Sequence, residues 1–233
     1  MYSRPQKLVA EFFGTFALIF FGAGSICADQ FMRSASQGGL GLLGIALAHG
    51  LAIGIMVTAV GHISGAHFNP AITIGFWVTR KMSTVETLYY WAAQLAGATV
   101  AAYLLRYLVP NDTWRAVALG TPSLAYELTA SAGMLAEGIM TFFLVFVVFA
   151  TAVDPRGAFN KIAGFAIGLT ITMDILFGGP FTGAAMNPAR AFGPALAARH
   201  WTEHGVYWAG PLAGGVLAGW LYDTFFLKRD AAA

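Results

Sequence analysis

Two short stretches of the chain place polar side chains that could hold a small molecule within apolar surroundings. The first reads GHISGAHFNPAI at residues 61–72, and the second reads GPFTGAAMNPAR at residues 179–190. The side-chain amides of Asn69 and Asn187 can donate hydrogen bonds, and Arg190 adds a guanidinium with a permanent charge. We find no nucleophile paired with a base, so these groups indicate non-covalent recognition of a polar molecule and no enzymatic reaction.

Each stretch contains an Asn-Pro-Ala triplet, which predicts the start of a helix. The triplets are Asn69, Pro70 and Ala71 in the first stretch, and Asn187, Pro188 and Ala189 in the second. Asparagine is among the best N-caps, and proline suits the first helical position because its missing N–H would be unpaired there. We therefore predict short helices from residue 70 to about 78 and from residue 188 to about 198.

The composition is that of a membrane protein. Of the 233 residues, 58% are hydrophobic and 10% are charged, whereas soluble domains carry about 25% charged residues. A helix of about 20 apolar residues spans a bilayer, and six runs qualify: 8–28, 40–60, 87–105, 131–153, 162–178 and 205–227. The loops between them hold no charge run that could bind nucleic acid.

The chain is a tandem duplication. Asn187 follows Asn69 by 118 residues, and two flanking segments also recur: AEFFGTF (10–16) as AEGIMTF (136–142), and YWAAQLAG (90–97) as YWAGPLAG (207–214). Each half holds three spans, so the second half must cross the membrane in the opposite direction. We predict a single all-α transmembrane channel domain over residues 1–233, with six transmembrane helices plus two re-entrant half-helices in inverted 3+3 repeats at about 1–115 and 126–233.

The residues before each half-helix are expected to line a pore. Non-helical backbone inside a bilayer is tolerated only where its polar groups face protein or water. The carbonyls predicted to face an aqueous path are those of Gly65, Ala66 and His67 in the first repeat, and of Gly183 and Ala185 in the second. A single Asn-Pro-Ala triplet would indicate an ordinary capped turn, but two copies in inverted halves favour a pore.

Acidic residues lie within predicted spans, where a charge is costly and is usually functional or paired. Glu11 and Glu137 occupy corresponding positions of the repeat. They could form part of a proton relay, but the favoured interpretation is that each is protonated or hydrogen-bonded and braces a re-entrant loop. Asp174 has no assigned role; it could bond a neighbouring helix or line a side entrance.

The histidines of the first stretch do not indicate a metal site. His62 and His67 are five residues apart, and the only cysteine, Cys27, lies far along the chain. With no neighbouring carboxylate, these histidines are expected to brace the loop. We predict neither a metal nor a cofactor.

The quoted motifs resemble the aquaporin, or major intrinsic protein, family over nearly the whole chain. SGAHFNPA, TGAAMNPAR and the two Ala-Glu starts carry the resemblance, and GHISGAHFNPAITIGFW is most similar to the plant tonoplast-type branch and its bacterial relatives. The resemblance implies one pore in each subunit of a homotetramer. It also supports a bracing role for the two glutamates.

The resemblance also implies a selectivity filter of four residues, carried over by spacing: His49, Ile175, Ala184 and Arg190. Strict water channels typically carry Phe, His, Cys or Thr, and Arg at these four positions. The filter here is expected to be wider and less polar, and His49 could make permeability depend on pH because histidine titrates near neutrality.

The sequence thus predicts a passive channel for water, and also for ammonia or other small neutral solutes, that excludes ions and protons. The alternatives are a glycerol or small-polyol facilitator and a non-conducting structural membrane tetramer. Glycerol facilitators typically carry Asp directly after the filter arginine and a basic residue four positions later, whereas this chain has Ala191 and Ala195.

Basic residues predict the orientation, because cytoplasmic loops are enriched in lysine and arginine. The side that holds both termini collects Arg4, Lys7, Arg80, Lys81, Arg156, Lys161, Lys228 and Arg229, and the other side has Arg33, Arg106, Arg115 and Arg199. Both termini are therefore expected to be cytoplasmic in a multi-pass protein of the cell (inner or plasma) membrane. The vacuolar membrane is the alternative, and lipid, water and further subunits are the expected partners.

Overall fold

The computed structural model describes residues 2–156 and 162–227. These residues are helical or irregular, and the described ranges contain no strand. The helices are α1 (Arg4–Ser34), α2 (Gly41–Ser64), α3 (Pro70–Val78), α4 (Thr84–Leu108), α5 (Asn111–Ala116), α6 (Ala130–Val153), α7 (Ala163–Thr182), α8 (Pro188–Ala198) and α9 (Val206–Phe225). Lys161, Lys228 and Arg229, which were part of the orientation prediction, lie outside the described residues.

The predicted fold class of six long helices and two half-helices is confirmed. Four of the long helices, α1, α2, α6 and α7, are apolar and long enough to cross a membrane. Helices α4 and α9 have spanning lengths of 25 and 20 residues. The half-helices α3 and α8 begin and end where the sequence places them, because each begins at a local cap in which the asparagine side chain accepts a hydrogen bond from the first turn.

The two halves pack through equivalent contacts. Helix α1 packs on α4 in the first half, and α6 packs on α9 in the second. Helix α2 of the first half packs on helix α7 of the second half. Each half-helix lies against the third long helix of the other half, α3 on α9 and α8 on α4. The half-helices are therefore positioned by the opposite repeat.

Glycine allows these contacts, because small residues let helix backbones approach closely. At the α2–α7 crossing, a Cβ added to Gly168 would lie 2.5 Å from the carbonyl oxygen of Gly50. A Cβ on Gly193 of α8 would lie 2.5 Å from the carbonyl oxygen of Ala98 in α4. A Cβ on Gly215 of α9 would lie 2.2 Å from the carbonyl oxygen of Ala71 in α3.

We predict that Gly215→Ala destabilises the protein. Alanine normally favours a helix over glycine by about 1 kcal/mol, but overpacking of this kind costs about 1–3 kcal/mol. A fall in the thermal unfolding temperature of the purified protein would therefore report the close contact between α9 and α3. Gly61→Ala is the control, because a Cβ at Gly61 would meet its nearest atoms at an ordinary 3.9 Å. An unfolding temperature as high in Gly215→Ala as in the control would contradict the prediction.

Candidate functional site

The N-termini of α3 and α8 meet inside the protein through a pair of reciprocal hydrogen bonds. The side-chain nitrogen of Asn69 donates to the carbonyl oxygen of Met186 at 2.9 Å, and that of Asn187 donates to the carbonyl oxygen of Phe68 at 2.9 Å. Each asparagine oxygen accepts from its own helix, at 2.8 Å from Ala71 N for Asn69. Because a carboxamide has two N–H groups, each asparagine keeps one donor for a molecule at the junction.

The loops that precede the half-helices share one unusual backbone conformation. Positive φ angles occur at Gly65, Ala66 and Phe68 in the first loop, and at Gly183, Ala184 and Met186 in the second. Four of these six residues are not glycine, and each costs about 1–3 kcal/mol in such a conformation. Such strain persists only where surrounding contacts hold it.

Glu11 supplies those contacts in the first loop. One carboxylate oxygen accepts hydrogen bonds from the hydroxyl of Ser64 at 2.8 Å and from the backbone N–H of His67 at 2.9 Å. The other accepts from the backbone N–H of Phe68 at 2.7 Å and from the side-chain amide of Gln94 at 2.8 Å. Glu11 is fully buried, so these donors replace the water that a carboxylate would otherwise bind.

Glu137 makes the equivalent contacts in the second loop. It accepts from the hydroxyl of Thr182 at 2.6 Å and from the backbone N–H groups of Ala185 and Met186 at 2.9 and 2.7 Å. The position equivalent to Gln94 is Pro211, which has no side-chain donor. The second brace therefore has one donor fewer than the first.

The side chains of Arg190 and His49 contact each other. Arg190 donates from Nη1 to the carbonyl oxygen of Gly120 at 2.7 Å and from Nη2 to Nε2 of His49 at 3.3 Å. His49 donates from Nδ1 to the carbonyl oxygen of Ile45 at 2.9 Å. These contacts assign the neutral imidazole with its proton on Nδ1. The Nε–H of Arg190 has no hydrogen-bond partner within residues 2–156 and 162–227.

A cavity is lined by Arg190 and His49 and by both asparagines. Its polar lining includes His49, His67, Asn69, Asn187 and Arg190, and its apolar lining includes Leu18, Ile53, Ile72, Leu144, Ile167, Ile171, Ile175 and Met186. Ala66, Ala184 and Ala185 complete it. The four residues predicted for the filter therefore line one cavity, which has both polar and aliphatic lining residues.

Gly65 and Gly183, whose carbonyls were predicted to face an aqueous path, lie at the ends of two helices. They are absent from the described lining of the cavity and instead form the left-handed C-caps that end α2 and α7. Glycine suits this position because it has no Cβ to clash in the left-handed region. The neighbouring Ala66, His67 and Ala185 do line the cavity.

The two histidines of the first stretch separate in the structure. His67 is buried and its Nδ1 lies 3.1 Å from the hydroxyl of Thr73, on the half-helix that follows. His62 is exposed and packs edge-on against the ring of Tyr2, with the centroids 5.7 Å apart. Only His67 therefore contacts the re-entrant segment it was expected to brace.

Asp174 lies in α7 and keeps no assigned role. Its side chain is buried, with 4% of its surface exposed, and it does not belong to the described lining of the cavity. Its Oδ2 has no hydrogen-bond partner in the part of the chain that the structure describes. The structure gives no account of why a carboxyl group stands there.

Several groups that hold the site were missed in the sequence. Tyr90 and Tyr207 donate to the carbonyl oxygens of Ser64 and Thr182 at 2.8 and 2.9 Å. The repeated YWA segment, which places a tyrosine at the same point in both halves, could have indicated their shared role. Gly120 left no signal, because it acts through its backbone carbonyl.

Comparison with known proteins agrees with this geometry. Residues 2–222 match the family model described as "Major intrinsic protein". The chain is 44% identical to aquaporin TIP4-4 of Zea mays over 229 residues, covering 96% of this chain and 88% of the relative. It is 45% identical to probable aquaporin TIP3-2 of Arabidopsis thaliana, covering 95% of this chain and 84% of the relative.

A solved structure has the same fold. The aquaglyceroporin from Plasmodium falciparum superimposes with a TM-score of 0.81, covering 96% of this chain and 97% of the other. The two sequences are 24% identical, so the likeness concerns the fold alone.

We predict that Glu137→Gln lowers both the unfolding temperature and the transport activity. One carboxylate oxygen becomes an NH₂ group facing a backbone or hydroxyl donor, and an unsatisfied buried donor costs about 1–3 kcal/mol. Thermal unfolding and solute flux in vesicles would measure the two effects. Glu127→Gln, at an exposed position, is the control that should change neither; an unfolding temperature in Glu137→Gln equal to that of the control would rule out the brace.

Proposed function

The chain belongs to the major intrinsic protein family, and on that premise we propose that it is a passive transmembrane channel for water that also passes ammonia or other small neutral solutes and excludes ions and protons. It is a membrane channel and not an enzyme. The observation that carries the proposal is the cavity on which both half-helices converge, whose lining combines the polar side chains of Asn69, Asn187 and Arg190 with several isoleucines.

The polar and the aliphatic lining residues have different tasks. A water molecule that enters a narrow tube loses hydrogen bonds to bulk water, so the wall must replace them without forming a trap. The free N–H groups of Asn69 and Asn187 and the Nε–H of Arg190 can donate to its oxygen. Ile167, Ile171 and other aliphatic residues offer no hydrogen bond, which keeps the molecule from being held.

Charge at the centre supports the exclusion of cations and protons. The N-termini of α3 and α8 point at the junction, and each helix terminus carries roughly half a positive charge. Arg190 adds a full charge at the constriction. A water oxygen that accepts from both asparagines also has less capacity to accept a proton from its neighbour.

The composition of the filter supports a channel broader than one for water alone. Ile175 and Ala184 are small or apolar where strict water channels are expected to be bulkier or more polar, and His49 lies on the same wall as Arg190. Ala191 and Ala195 weaken the alternative of a glycerol facilitator. A non-conducting structural tetramer is the remaining alternative.

We further propose a homotetramer in which each subunit is one inverted-repeat domain, with repeats at about 1–115 and 126–233, and has its own pore. The observation that supports a subunit interface is the exposure of α2, whose most apolar window is 28% buried, compared with 44–56% in α1, α6 and α7. We propose cytoplasmic termini from the distribution of basic residues. The plant relatives of the TIP type favour a vacuolar membrane over the cell membrane first expected.

We predict that Ala184 controls passage, because its side chain lines the cavity beside Arg190 and His49. In proteoliposomes subjected to an osmotic step, Ala184→Trp should reduce shrinkage, followed by light scattering, to the rate of empty vesicles. Ala184→Cys should conduct and become blocked by mercuric ions, with recovery in thiol. The wild type should resist mercury because its only cysteine, Cys27, is 1% exposed and does not line the cavity.

The same assay decides between the alternatives. Wild-type shrinkage no faster than that of empty vesicles would indicate a structural tetramer. Wild-type vesicles that also re-swell rapidly in a glycerol gradient would favour the facilitator. Fast water flux that survives Ala184→Trp would show that water takes another route.

We predict water permeability that is flat between about pH 5 and 8, the range in which free histidine titrates. Nε2 of His49 accepts a hydrogen bond from Arg190, and Nδ1 donates to a carbonyl. Protonation of Nε2 would therefore place a new N–H opposite the positively charged guanidinium of Arg190. This reverses the expectation from the sequence alone. A pH-dependent permeability that disappears in His49→Ala would contradict it.

A further inference from the structure

Both half-helices end in the same motif, with arginine where glycine is usual. At the end of α3, the N–H of Arg80 donates to the carbonyl oxygen of Trp77 and that of Lys81 donates to the carbonyl oxygen of Phe76, at 3.0 and 2.9 Å. Arg80 has a φ of 60°. This is the Schellman arrangement, in which the left-handed position normally holds glycine because other residues are strained there.

Helix α8 repeats the motif at Arg199. Arg199 has a φ of 57°, its N–H donates to the carbonyl oxygen of Leu196, and that of His200 donates to the carbonyl oxygen of Ala195. A cation at a helix C-terminus interacts favourably with the helix dipole, which explains a basic residue at both ends. The two arginines differ in one respect: Arg80 lines two of the described cavities and Arg199 lines none of them.

Arg80 borders two cavities at the end of α3. One is lined by Trp77, Arg80, Lys81, Met82, Ser83 and Thr84, and the other by Val78, Thr79, Arg80, Lys81, Trp220, Asp223, Thr224 and Leu227. We call these together the Arg80 pocket. It lies between the end of α3, the start of α4 and the end of α9.

Arg80 differs from the neighbouring basic side chains in its pairing. Lys81 forms a salt bridge with Asp223 at 2.7 Å, and Lys7 lies 3.9 Å from Glu86. The guanidinium of Arg4 stacks over the ring of Tyr89 at 4.9 Å. Arg80 is exposed and has neither a side-chain hydrogen bond nor an ion pair within the described ranges.

Two indole rings place the pocket at the boundary of the membrane. Trp77 is 41% exposed and Trp220 is 52% exposed, and each lines one of the two cavities. The ring nitrogen of Trp77 donates to the hydroxyl of Thr84 at 3.0 Å. Exposed tryptophans of membrane proteins concentrate at the level of the lipid headgroups.

We propose that the Arg80 pocket binds the phosphate group of an anionic lipid headgroup. Arg80 supplies the charge and a planar set of donors that suits phosphate oxygens. Lys81 adds a second positive charge, partly compensated by Asp223. The hydroxyl of Thr84, which accepts from Trp77, can donate. The indoles keep the headgroup and the upper acyl chains against the protein. The site is separate from the cavity on which the half-helices converge, so it does not depend on which solute passes.

The test uses the full-length protein in zwitterionic nanodiscs, with tryptophan fluorescence quenched by lipids whose acyl chains are brominated. Brominated phosphatidylglycerol should quench more strongly, at equal mole fraction, than brominated phosphatidylcholine. Arg80→Gly should reduce this preference about fivefold, the effect of about one basic residue at an anionic surface. Glycine relieves the left-handed strain, so the variant should fold.

Arg199→Gly is the matched control, because it makes the same charge and backbone change at the equivalent position of the other half. It should keep the preference for phosphatidylglycerol, and so should Arg80→Lys, which retains the charge. The proposal is overturned if Arg80→Gly keeps the full preference or if Arg199→Gly loses as much. It is also overturned if excess inorganic phosphate removes the preference, since the ligand would then be a free phosphate and not a lipid.

Discussion

The conformation of the two re-entrant segments depends on two buried carboxylates. A helix that begins inside a bilayer leaves the backbone N–H groups before it without helical partners, and no lipid can accept their hydrogen bonds. Glu11 and Glu137 accept these bonds from Phe68 and Met186, among others. Without them the backbone N–H groups of Phe68 and Met186 would lose their acceptors, and the strained loops would keep only their other contacts, such as those of Tyr90 and Tyr207.

The carboxylates alone do not align the two loops. Each loop also offers a carbonyl to the asparagine of the other half, so that each asparagine both caps its own helix and bonds the opposite segment. Each half-helix also packs on the third long helix of the other half, and this packing helps to align the two loops. The junction is thus a contact between repeats, and neither half could form it alone.

The duplication has not kept the two halves chemically equal. The first loop has a polar network, in which Gln94 bonds both Glu11 and Thr73 and His67 lies beside Thr73. The equivalent positions of the second half are Pro211, Ala191 and Ala185. Arg190 stands in the second half instead, held by the carbonyl of Gly120 and by His49. One half therefore carries the more extensive hydrogen-bond network, and the other carries the permanent charge that lines the cavity.

The sequence by itself determined what depends on local chemistry and on repetition. The asparagine caps and prolines set the start of both half-helices, because capping is decided within a few residues, and the matching segments implied two inverted halves. Helix lengths were harder to predict from the sequence, because polar ends extend a helix beyond its apolar run. Helix α1, for example, runs from Arg4 to Ser34.

Only the tertiary structure decided which groups meet across the chain. Gly120 lies 70 residues before Arg190 and acts through a carbonyl that every residue possesses, so no residue type could reveal it. The roles of Gly65 and Gly183 as helix caps, the neutral state of His49 and the burial of Asp174 were also invisible in the sequence. Each depends on the position of neighbours that folding brings from distant segments, and local sequence patterns do not encode those positions.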